Sequence, residues 1–125
     1  MQQTQIAWDD TWTTRFKATP PEEQARMQAQ ENDFRGFYET HRAELEARAM
    51  AALYNLSQTI GWFSPSDIAD EPFYYQETTV YDAERKQFEI GYTLCGKTDR
   101  WLDVYGWWSA SFQGTFLVGV WREQH

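Results

Sequence analysis

Beyond Pro72 the sequence falls into four runs of alternating or β-branched and aromatic residues, 73–82, 87–95, 101–109 and 115–122, separated by short connections. Ala83-Glu84-Arg85-Lys86, Gly96-Lys97-Thr98-Asp99 and Ser111-Phe112-Gln113-Gly114 can close hairpins but cannot carry a crossover helix. The second half of the chain is therefore committed to an antiparallel meander, and the first half has to cover it.

Residues 20–61 supply that cover. Thr19-Pro20-Pro21-Glu22 reads as a Thr N-cap, Pro at the first helical position and Glu three residues after the cap, which places a helix start at about Pro20. Phe34, Phe37, Tyr38, His41, Leu45, Ala49, Ala52, Leu53, Leu56 and Ile60 then recur at three- and four-residue spacing and draw one apolar stripe. Asn32-Asp33 and Gly36 are points where the run can divide into two helices, and Gly61 stands where a C′ glycine ends one. Ser64-Pro65-Ser66-Asp67 repeats the cap logic for one turn. Upstream, residues 12–18 alternate, with Trp12, Thr14, Phe16 and Ala18 on one side, and Asp9-Asp10 can turn this segment back on residues 4–8 as a hairpin. The predicted fold is α+β, a long helix on one face of an antiparallel β-meander of four strands, with room for one or two further N-terminal strands. Its parts are 1–19 as strand or arm, 20–61 as the helical segment and 72–122 as the meander.

At 125 residues the chain suits a single domain, able to bury about two-thirds of its unfolded surface without metals or disulfides. The single cysteine, Cys95, cannot form an internal disulfide. Residues 1–19 lack the basic start and apolar run of a signal peptide, and no later stretch has the apolar length of a membrane span, so the expectation is a soluble cytoplasmic protein. Eleven Lys and Arg against 19 Asp and Glu give a net charge of -8, which argues against direct binding of nucleic acid or an anionic membrane and points to a basic partner. Seven Trp, seven Tyr and eight Phe make 18% of a chain that is also 24% charged, so the rings need either an aromatic core or an aromatic surface with a task.

Strand alternation separates the two. Phe88, Ile90, Tyr92 and Leu94 go to one face, together with Leu102, Val104 and Trp108, and are expected under the helix. Trp101, Asp103, Tyr105 and Trp107 then share the other face with Glu89 and Thr93, joined by Tyr81 and Trp121 and flanked by Asp99. Such a mixture of rings and carboxylates suits a protein interface, because Trp and Tyr bring large area at low entropy cost. The competing expectation is that Trp8, Trp12 and Phe16 fold across this face as a second core layer. Residues 115–122 are apolar on both sides, which predicts a central, doubly covered strand.

Catalytic motifs are missing from the sequence. There is no nucleophile elbow, phosphate-cradling glycine loop, dinucleotide fingerprint, paired C-x-x-C or H-E-x-x-H spacing. His41 lies within the helix stripe, where a packed structural role is the ordinary one, and Cys95 beside it as a nucleophile would need an electropositive setting that this acidic chain does not offer. Asp67, Asp70 and Glu71, like Asp9 and Asp10, lack the calcium-loop pattern and are explained by turns and caps; no metal or cofactor is expected. The best enzyme reading places Glu77, Glu89 and Asp103 on adjacent strands as an acid and base pair on a sugar, with tryptophans stacking on its rings.

A small, acidic, cysteine-poor chain with a capped helix before an aromatic meander, here VYDAERKQFEIGYTLCGKTDRWLDVYGWW, resembles the small cytoplasmic immunity proteins that accompany interbacterial toxins. The resemblance is architectural, spans residues 34–122 and carries no site residues across. It implies a non-catalytic protein that binds one cognate toxin domain and blocks its basic active-site cleft. Two other classes compete with it: a phage-encoded acidic inhibitor of a host defence protein, which needs carboxylates in phosphate-like rows, and an aromatic-lined carbohydrate- or ligand-binding domain with carboxylate-pair hydrolase activity.

Overall fold

The computed structural model of the chain describes residues 6–8, 15–98 and 100–124. In chain order these form β1 (Ile6–Trp8), α1 (Pro21–Ile60), a 3-10 turn (Pro65–Asp67), β2 (Ile68–Asp82), β3 (Gln87–Gly96), β4 (Gly106–Gln113) and β5 (Phe116–Gln124). The sheet order is β1-β2-β3-β4-β5, with β2 to β5 an antiparallel meander. β1 adds to its edge in parallel, pairing with Thr78, Thr79 and Val80, because α1 intervenes and returns the chain in the same direction. The α+β class holds, with one N-terminal strand added to the four predicted.

α1 runs unbroken for 40 residues, about 60 Å at 1.5 Å per residue. Phe34, Tyr38, Leu45, Ala49, Leu53 and Ser57 are buried along one stripe, whereas the first 13 residues bury only Met27. Asn32-Asp33 and Gly36 do not divide it: Phe34 and Tyr38 anchor this stretch to the sheet, and the Thr40 hydroxyl donates to the Gly36 carbonyl at 2.8 Å. The start differs from the predicted capping box. Pro20 is the N-cap and offers no side-chain bond, while the Thr19 hydroxyl and Gln24 Nε2 both donate to the Phe16 carbonyl at 2.9 Å. These bonds tie a helical turn at residues 15–18 to α1, so that part of the expected strand at 12–18 is helical; Trp12 lies outside the described residues. Gly61 ends the helix at φ 74°, its N–H reaching the Ser57 carbonyl, and Ser64 caps the 3-10 turn.

Aromatic rings fill the space between α1 and the sheet. Phe88 stacks on Phe112 at 5.4 Å and meets Phe34 edge-on at 5.3 Å, and Trp108, Tyr92 and Tyr38 are fully buried around them. The core hydroxyls of Tyr38 and Tyr75 converge on Thr78, which donates to Tyr38 at 2.8 Å and lies 3.1 Å from Tyr75 Oη. β5 is an edge strand and not the central one its apolar pattern suggests. A register shift opposite Ser111 and Phe112 leaves Val118 as an extra residue, so Val120 and Leu117 both turn inward while Phe116 and Val118 are exposed.

Candidate functional site

The sheet has one face under α1 and one that no second layer of secondary structure covers among the described residues. Trp8 meets Phe34 edge-on, and Trp8 and Phe16 both pack into the helix-side core, which overturns the expectation that they cross the open face. Alternation from the buried Phe88, Ile90, Tyr92 and Leu94 assigns Glu89, Gly91, Thr93 and Cys95 to the open face. The register then carries Glu77 opposite Gly91, Gly91 opposite Ser109, and Ser109 opposite Trp121 in one row across the strands. A second row joins Thr79, Glu89, Ser111 and Gly119, and Trp107 pairs with Glu123.

The floor of this face is built of small residues, and rings lie on it. Gly91 is required because the Trp107 indole rests on it; a Cβ at position 91 would overlap the ring. Tyr81 donates to Glu89 Oε1 at 2.6 Å, and Trp121 Nε1 donates to Glu123 Oε1 at 3.1 Å, so two carboxylates are oriented by their aromatic neighbours. The only cation in the five strands is Arg122, and it faces the helix side beside Trp108. Glu77, Glu89 and Glu123 therefore set the sign of the open face without a strand cation to offset them.

Asp103 does not share that face. Residues 100–105 are a loop and not the start of a strand, held by a Cys95 to Trp101 bridge and by the Leu102 N–H donating to the Leu94 carbonyl at 2.7 Å. The Asp103 carboxylate turns to the helix side, where Trp108 Nε1 donates to it at 2.9 Å and Arg122 donates through Nε at 2.6 Å and Nη2 at 3.0 Å. Burial by itself pushes the Asp103 carboxyl up, but the bonds from Arg122 and Trp108, the Arg122 charge and the Gly106 amide together outweigh it and hold it below the usual Asp range. Arg122 is in turn roofed by the Trp62 ring at 4.9 Å. With Asp103 as its anchor, the loop presents Trp101, Val104 and Tyr105, which are 51%, 66% and 65% exposed.

Of the seven residues singled out from the sequence, Glu89, Trp107 and Trp121 lie together on the open face, and Trp101 and Tyr105 stand on the adjoining loop. Asp103 is buried beneath that loop, and Asp99 lies outside the described residues. Val104, expected under the helix, is exposed. Glu123 was not singled out, although its spacing of two from Trp121 is the signal that places both on one face. The carboxylate trio is not assembled, since Glu77 and Glu89 are on the open face and Asp103 is paired on the other. His41 faces Glu44 and Phe37 on α1, across the sheet from Cys95. Among the described residues no three His, Cys, Asp or Glu side chains are placed to hold a metal, and no helix is long and apolar enough to cross a membrane. Comparison with known protein families, with curated proteins and with solved structures finds no match to this chain.

Proposed function

We propose that this chain is a non-catalytic binding protein that docks a basic protein partner on its open sheet face and the 100–105 loop, in the manner of an immunity protein that neutralises a cognate toxin domain. The observation that carries the reading is the pairing of two features, one on the loop between β3 and β4 and one on the open face of the sheet. A buried ion pair holds a loop whose Trp101, Val104 and Tyr105 are turned to solvent, and the neighbouring face displays Glu77, Glu89 and Glu123 with no strand cation. Exposed rings on a rigid support are what interface anchors require, because little entropy is lost when they are covered. A net charge of -8 adds long-range attraction to a basic cleft and suppresses acidic partners.

The test is affinity capture from the native host with the wild-type chain and with a Trp101→Ala/Tyr105→Ala double variant of unchanged thermal stability. A basic protein retained by the wild type and lost by the variant supports the reading. Equal retention by both removes the loop from the interface.

A further inference from the structure

Among the described residues, a cleft of about 300 Å³ opens between α1 and β2, along the edge of β2 that precedes its pairing with β1 at Thr78, Thr79 and Val80. Its walls include Arg42 and Glu46 from α1 and Glu71, Phe73 and Tyr75 from β2, with Tyr92 of β3 also lining it. Tyr92 is 1% exposed, and its hydroxyl is buried without a hydrogen-bond partner among the described residues. The other two core tyrosines of this region, Tyr38 and Tyr75, are both bonded to Thr78, so the orphaned hydroxyl is particular to the cleft.

The surrounding charges indicate what would satisfy it. Arg42 is held by Glu46 at 3.1 Å and lies 5.7 Å over the Tyr75 ring, so its charge is already matched. Among the described residues, Glu71 then leaves the cleft with one more carboxylate than guanidinium. Burial raises the Tyr92 pKa, which keeps the hydroxyl neutral and leaves its oxygen able to accept an N–H. Phe73 and Tyr75 both meet Tyr92 in T-shaped contacts at 6.3 Å and make the wall beside its hydroxyl aromatic.

We propose that this cleft binds a small organic cation, an ammonium or guanidinium group on a short apolar stem, whose head meets Glu46, Glu71 and the Tyr92 hydroxyl. An anion is disfavoured by the same charges. The group can be carried by a free amine or by a Lys or Arg side chain of another protein, and the site stands apart from the interface on the open face.

The experiment is a ¹H–¹⁵N NMR titration of the whole chain with n-butylammonium, n-butylguanidinium, n-butanol and butyrate, and with blocked Gly-Lys-Gly and Gly-Arg-Gly peptides. Saturable shifts at residues 42, 46, 71–75 and 92 are expected with the cations and not with butanol or butyrate. Tighter binding of the peptides assigns the site to a protein side chain, and tighter binding of the free cations assigns it to a small molecule. Tyr92→Phe is expected to weaken the cation about fivefold and to raise the thermal midpoint of the ligand-free protein, since it removes an unpaired buried hydroxyl. Glu46→Gln is expected to weaken the cation as well. Equal binding of butyrate or butanol, unchanged affinity in Tyr92→Phe, or a lowered midpoint in that variant overturns the proposal. Unchanged titration of the Trp101→Ala/Tyr105→Ala variant keeps this result separate from the interface test.

Discussion

Asp103 and Arg122, one on a loop and the other on the last strand, form a two-pronged ion pair with both side chains less than a tenth exposed. The pair closes further because Asp103 Oδ2 also takes the Trp108 indole N–H, and because Gly106 leaves space where a Cβ would strike the carboxylate. A loop that exposes three large apolar side chains is thus fixed to the sheet by a polar bond beneath it.

Removing Asp103 is expected to be severe. Asp103→Ala leaves the Arg122 charge and the Trp108 N–H buried without their acceptor, and breaking one side of such a pair destabilises by about 3–5 kcal/mol. Urea unfolding of the variant against wild type measures this; a loss below about 1 kcal/mol would place the pair in water. Asp103→Lys, a natural charge-reversal probe if the residue were on the open face, is expected to unfold the loop and is uninformative about a partner.

The same carboxylate gives stability a pH dependence of known sign. Its folded pKa lies below the unfolded value, so in acid the unfolded chain binds the proton first and the folded state loses ground as pH falls. The contribution is complete above the ordinary Asp range near pH 4 and is lost as pH drops through the depressed folded value. Urea midpoints from pH 7 to pH 2.5 are expected to fall below about pH 4 in wild type and to fall less steeply in Asp103→Asn.

Much of the architecture is legible in the sequence where one period governs a long stretch. Phe34, Tyr38, Leu45, Ala49 and Leu53 announce the buried stripe of α1, and Phe88 to Leu94 announce the core face of β3. The site is less legible because residues 101–105 carry a period-two pattern yet form a loop, so alternation assigns Asp103 to the open face when it pairs with Arg122 on the other. Its true partner, Arg122, is brought to it only by the register of β4 with β5. A bulge at Val118 similarly made an edge strand read as a doubly covered one. The side taken by Trp8 depends on β1 pairing in parallel with β2, a long-range choice that no local pattern encodes.

Gly91→Ala tests the seat of Trp107. The new methyl would occupy the indole's position, so the ring must lift, with an expected loss of about 1–3 kcal/mol and no change in far-UV signature. Acrylamide quenching of a Trp107→Phe control identifies the indole concerned, which is expected to become more accessible in Gly91→Ala.

Glu77→Lys and Glu123→Lys are expected to leave the fold intact and to slow association with a basic partner, flattening its salt dependence. Stopped-flow association rates at two ionic strengths separate this from a loss of contact, which appears in the dissociation rate.

The most direct measurement is the affinity of the captured basic partner for wild type and for Tyr105→Ala, whose side chain is 65% exposed on the clamped loop. A loss of about 2 kcal/mol or more, roughly thirtyfold, with an unchanged urea midpoint is the predicted result for an interface anchor. Wild-type affinity in Tyr105→Ala, and equally in Trp101→Ala, would contradict the assignment of this surface to partner binding.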